Sequence, residues 1–106
     1  MEYLDEQGYP TQEFLDYIKF CTVTKDNALS FFKEIEPYWE HGNWVWEDGR
    51  DYHDDPVKIV SISTWGWSGN ESIIYAMQEN FMLWTLFWVQ HRRGGHYQFE
   101  IPCTNG

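Results

Sequence analysis

The chain has 106 residues with 17 acids against 7 bases, a net charge of −10. That length suits one domain over residues 1–106, burying roughly two-thirds of the unfolded surface. The charge excludes the basic footprint that direct, non-specific nucleic-acid binding needs, and it disfavours docking on anionic membranes. Aromatics make up 20% of the chain, seven each of Trp, Tyr and Phe. Each buried ring removes ~150–250 Å² from water, so few residues can build the core. The surplus is expected to face solvent, a groove or a partner, a second copy in a homodimer included.

Residues 1–9 read as an acidic and polar lead-in. The start, Met1 to Glu6, lacks the basic end and apolar run of a secretory signal. Thr11, after Pro10, is a candidate N-cap for a first helix with Phe14, Leu15, Ile18 and Cys21 on one stripe. A second helix is expected to start near Asp26, carry Leu29, Phe32 and Ile35 inward, and end or kink at Pro37. Together they suggest a helical hairpin.

Residues 34–55 hold eight acids and one base, Arg50. Asn43-Trp44-Val45-Trp46 reads as a short strand, Asp48-Gly49 as a turn, and Asp54-Asp55-Pro56 as a boundary. Val57 to Thr64 alternates Val, Ile and Ser and reads as a strand. Trp65 to Gly69 breaks it. Ser72 to Asn80 reads as a helix, and Phe81 to Gln90 as a strand buried on both faces. Arg92-Arg93-Gly94-Gly95 is a turn, and His96 to Ile101 the returning strand. The expected fold class is therefore α+β: an N-terminal helical hairpin packed on a small mixed sheet containing a β-α-β-β unit. The nine apolar residues Phe81 to Val89 are too few for a membrane-spanning helix, and a cytoplasmic setting is expected. Cys21 and Cys103 make no disulfide framework.

No metal-ligand spacing, P-loop, GxSxG or HExxH pattern appears, so no cofactor, metal or catalytic residue is assigned. Two segments stand out. Trp65-Gly66-Trp67-Ser68-Gly69-Asn70-Glu71 leaves a strand and enters a helix, whose N-terminus can hold an anion. Its plainer reading is a capping box, Ser68-x-x-Glu71. His91-Arg92-Arg93-Gly94-Gly95-His96-Tyr97 places two of only seven bases side by side, where a simple hairpin turn needs only the glycines. Strands 57–64 and 82–90, if parallel, would end on one sheet edge, where open sheets bind ligands. Trp65, Trp67, Ser68, Asn70, Arg92, Arg93 and His96 then form one candidate ligand site. Arginine forks suit carboxylate or phosphate, and tryptophan faces suit a base or a guanidinium. Glu71 with His96 is a weaker acid–base pairing. A second candidate is the acidic face, with Asp48, Asp51, Asp54 and Asp55 imitating phosphates to a basic partner and Trp39, Trp44 and Trp46 as anchors. Its plainer reading is a solvated surface.

Gly66-Trp67-Ser68-Gly69-Asn70-Glu71-Ser72-Ile73-Ile74 and Arg92-Arg93-Gly94-Gly95-His96-Tyr97-x-Phe99 resemble a group of small phage and prophage proteins. The opening Leu4 to Thr11 and the stretch from Trp39 to Trp44 are similar too. The resemblance implies a phage setting and carries no activity or catalytic role. Three functions follow as expectations. The first is an accessory protein that binds a host protein, such as a defence component, and inhibits or redirects it without catalysis. The second is a binder or sponge for an anionic, phosphate-bearing small molecule or nucleotide at the Trp67/Arg92 edge. The third is a small enzyme acting on nucleotides there.

Overall fold

The computed structural model describes residues 3–102; Cys103 lies outside them. The strand pattern in the second half organises everything else. Strand β1 (Asn43–Arg50) pairs antiparallel with β2 (Pro56–Ser63), β2 with β4 (His96–Pro102), and β4 with β3 (Trp88–Arg92), giving the order β1-β2-β4-β3. Side chains alternate across a strand. Val60, Ile62, Phe99 and Ile101 therefore turn into the core, each fully or almost fully buried. Burying each contributes about 1.5–3 kcal/mol. Between them, Ser61, Ser63, His96 and Gln98 point to the opposite face.

The helices cover one face of this sheet. Helix α1 (Gln12–Phe20) is capped by Thr11, whose hydroxyl accepts from the Phe14 amide at 3.1 Å. Helix α2 (Ala28–Ile35) follows Asn27 and ends two residues before Pro37, which sits in the 3-10 turn Glu36–Tyr38. The N-terminal helices pack as expected for an α+β fold, each with its own neighbour. Helix α2 lies on β4, and α1 lies on α3 (Ser68–Glu79), where Lys19 meets Glu79 at 2.7 Å. Phe14, Ile18, Phe32, Ile35, Ile73, Ile74 and Met77 complete one core with the inner sheet face.

Three expectations are corrected. The sheet is antiparallel at each pairing and not mixed. Residues Phe81–Phe87 form a helix, α4, and only Trp88–Arg92 is strand. Asn80 caps α4 by accepting from the Leu83 amide at 3.2 Å, and Leu83 and Phe87, one helical turn apart, are both buried. The segment holds only one β-branched residue, Thr85, so nothing local opposes the helix. Asp48-Gly49 is no turn, since β1 runs through it and Asp48 pairs with Lys58. Gly49 gives room to the Ile59 side chain, whose Cδ1 would lie 2.5 Å from a Cβ there. The chain reverses at Asp51–Asp55 instead, where the Asp51 carboxylate accepts from the His53 and Asp55 amides at 2.9 and 3.0 Å. Among the described residues, no helix is long and apolar enough to cross a membrane.

Asn80 ties the helical layer together. Its amide nitrogen donates to the carbonyls of Ile18 and Cys21, both at 2.8 Å, while its oxygen caps α4. Asn80→Ala removes a cap worth about 1 kcal/mol and strands two carbonyls at a further cost of about 1–3 kcal/mol. Its urea midpoint is expected to fall accordingly, and Asn80→Asp, which keeps the cap acceptor but turns a buried carboxylate oxygen toward both carbonyls, is expected to fall at least as far.

The Tyr17 phenol donates to the Glu34 carboxylate, and that bond, with burial second, holds it well above its ordinary value of 10.0. Burial raises Tyr3 and Tyr97 as well. Folded phenols therefore keep their protons longer than unfolded ones. The stability they confer is complete below about pH 10 and is lost as pH rises beyond it. Thermal melts should show that loss, with a shallower fall in Tyr17→Phe.

Candidate functional site

Strands β2 and β3 each run antiparallel to β4, which lies between them, so they point the same way. The bend after β2 and the bend after β3 consequently emerge at one edge. They touch there: the Thr64 amide donates to the Gly95 carbonyl at 3.0 Å. Gly95 sits at φ +75, and a Cβ would come within 2.2 Å of Thr64 Oγ1. Only glycine fits both constraints. The β3–β4 hairpin turns through Arg93, Gly94 and Gly95, with Arg92 paired to His96 across its base.

The sheet face turned away from the helices carries the site. Ser61, Ser63, Gln90, Arg92, Arg93, His96 and Gln98 line an open hollow of about 550 Å³, within the size range of ligand sites. Its floor is ordered by side-chain contacts. Ser63 Oγ and His96 Nδ1 lie 2.6 Å apart, Gln90 donates to Gln98 at 2.8 Å, and Gln98 donates to Ser61 Oγ at 3.4 Å. No carboxylate lines it. Among the described residues, neither the Arg92 nor the Arg93 guanidinium has a carboxylate within 4.0 Å. Two guanidinium forks, two hydroxyls and two amides make a donor set for oxyanions.

A second hollow of about 390 Å³ is bounded by Trp65, Gly94 and His96. His96 is common to both. Trp65 has φ +52, a left-handed backbone rare for a bulky residue, and its side chain is 68% exposed.

Of the residues expected at this edge, Trp65, Arg92, Arg93 and His96 come together. Trp67, Ser68 and Asn70 do not join them. The Trp67 ring packs on Tyr9 and His41, with centroids at 5.1 and 4.8 Å. Ser68 lies inside the first turn of α3, because Trp67 occupies the N-cap position and its carbonyl accepts from the Glu71 amide at 3.1 Å. The expected capping box therefore does not form. Asn70 is fully buried and donates to the Glu40 carbonyl. His96 takes Ser63 as its partner in place of Glu71. Ser61, Ser63, Gln90 and Gln98 were not anticipated. Their signal lay in the period-two spacing of Ser61 with Ser63 and of His96 with Gln98, which becomes legible once β4 is set beside β2.

The acidic face has a different character. Trp39 is buried and its indole donates to the Ser63 carbonyl at 3.1 Å. Trp46 donates to Glu36 at 2.8 Å, and Trp44 packs against Trp39 and Phe32. Asp48 faces Lys58, Asp51 holds the turn, and Asp54 lies 3.8 Å from Arg50. Asp55 is exposed. Among the described residues, no group of His, Cys, Asp and Glu is arranged to hold a metal ion.

The chain matches no family profile, no curated protein and no solved structure at a significant level.

The junction of the two bends yields a paired prediction. Gly66 also has positive φ, +73, but open space around it, so Gly66→Ala should lose only the left-handed backbone preference, about 1–2 kcal/mol. Gly95→Ala adds the collision with Thr64 and should lose clearly more. Chemical denaturation of both variants measures the difference.

Proposed function

We propose that this protein binds a phosphate-bearing small molecule on the open face of its sheet and holds it without turnover, in the phage setting implied by its motifs. One observation carries the reading. In a chain of net charge −10, a hollow of about 550 Å³ gathers two guanidiniums with no carboxylate at its wall. Two of only seven bases are thereby set side by side against neutral neighbours. Among the described residues neither has a carboxylate partner, which leaves their donors to an incoming oxyanion. Ser61, Ser63 and the two glutamines add neutral donors that reinforce orientation more than charge.

The alternative of a host protein docking on the acidic face has less support. Its three indoles turn inward, and Asp48, Asp51 and Asp54 are engaged locally.

Calorimetric titration with ribose 5-phosphate tests the reading. Hydrogen bonds to charged groups contribute about 1.5–3 kcal/mol each. The double substitution Arg92→Ala with Arg93→Ala should therefore lower affinity by more than about tenfold. Unchanged affinity in the double variant overturns the assignment. Release of inorganic phosphate from the bound ester would replace the binder with an enzyme, with the Ser63 hydroxyl beside His96 the group to test first.

A further inference from the structure

His96, which lines the hollow at Arg92 and Arg93, also lines the smaller hollow bounded by Trp65 and Gly94. These two compartments differ in chemistry: one is walled by cationic and hydroxyl donors, the other by an indole and a glycine backbone. A ligand that fills both has an anionic end and a flat aromatic or apolar end, joined by a spacer that crosses one imidazole.

Trp65 is an unusual residue to find there. It is 68% exposed and has a left-handed backbone at φ +52, a conformation that bulky side chains rarely adopt. Burial does not account for it, because the ring lies largely in solvent. The other tryptophan of the same bend, Trp67, packs on Tyr9 and His41 and supports the fold. Strained residues held at a surface concentrate where ligands are clamped, and an exposed indole is a stacking platform for a nucleobase.

Resting on the phosphate-binding reading above, we infer that the ligand is a mononucleotide whose base stacks on Trp65 while its phosphate meets Arg92 and Arg93. The charge of the chain limits the ligand to that size. A net charge of −10 repels a polynucleotide over the distance its flanking phosphates would occupy. A single nucleotide places its phosphate at a wall that carries two guanidiniums and no carboxylate.

The test compares adenosine monophosphate with ribose 5-phosphate, which share the sugar phosphate and differ by the base. Stacking on an aromatic side chain is expected to favour adenosine monophosphate by about tenfold or more in the native protein. Trp65→Ala should bring its affinity down to that of ribose 5-phosphate, while leaving ribose 5-phosphate binding as it was. Trp65→Gly, which suits the left-handed backbone, should behave the same way and guards against a folding effect. Equal binding of the two ligands by the native protein overturns the inference and leaves the phosphate reading standing. So does an adenosine monophosphate advantage that survives both Trp65 variants. A single-stranded oligonucleotide that binds more tightly than the mononucleotide also overturns it. If the native protein binds neither ligand, both the inference and the reading beneath it fall.

Discussion

The hydrogen bond from the Thr64 amide to the Gly95 carbonyl is the constraint on which the candidate site depends. It closes the gap between a bend that leaves β2 and a hairpin that joins β3 to β4. Without it, Trp65 and the twin arginines would belong to separate loops. Its formation requires that residue 95 have no side chain, since Thr64 Oγ1 occupies that space. It also requires that β4 lie between β2 and β3, so that two strands separated by the helical layer in sequence end side by side. A local feature, one glycine, and a global feature, the strand order, are thus satisfied by a single contact.

The aromatic content is used in two ways that follow from size. A domain of this length has little interior, and large rings fill it with few residues. Phe14, Phe32, Phe87 and Phe99 are fully or almost fully buried, and Tyr3, Tyr38 and Trp84 pack around them at the margin. Other rings are left on the surface, Phe20, Tyr52 and Tyr75 among them. Trp65 stands alone at the site, whereas Phe81, Met82, Leu86, Trp88 and Val89 are exposed along α4 and β3. Much of the polar chemistry of the indoles is then internal. Trp39 and Trp46 each spend their N–H on a neighbour, as buried amphipathic rings do.

What could be read from the residues alone divides along physical lines. Thr11 announced its helix because a cap is a local interaction, satisfied within three residues. The alternation from Val57 onward announced β2 because one buried face imposes a period of two. The segment Phe81–Phe87 was legible only in part: an apolar run of that length suits a buried strand or a short helix, and although Asn80 caps the helix locally at Leu83, its bonds to the Ile18 and Cys21 carbonyls exist only in the fold. Asp48-Gly49 misled because glycine serves a turn and a close approach equally well, and contact with Ile59 is non-local. At the site, Arg92, Arg93, His96 and Trp65 were visible as unusual residues. Ser61, Ser63, Gln90 and Gln98 were not, because common polar residues acquire meaning only from the strands beside them.

Charge gives the arrangement its final logic. Carboxylates are spread over most of this chain, yet the basic residues Lys19, Arg50 and Lys58 each lie against one. Among the described residues, Lys25, Lys33, Arg92 and Arg93 are in no ion pair, and what sets the two arginines apart is that they share one hollow. Among the described residues, Arg92 and Arg93 have neutral surroundings: serines and glutamines occupy the adjacent strand positions, and glycines complete the turn. These residues withhold local neutralisation, and the surrounding negative surface acts in the same direction by discouraging large polyanions. A small anion, with few charges to be repelled and two guanidiniums to receive it, meets neither obstacle. Selectivity by size and charge then requires no closing lid or buried ion pair, only an uncharged frame around two cations on a sheet face that no helix covers.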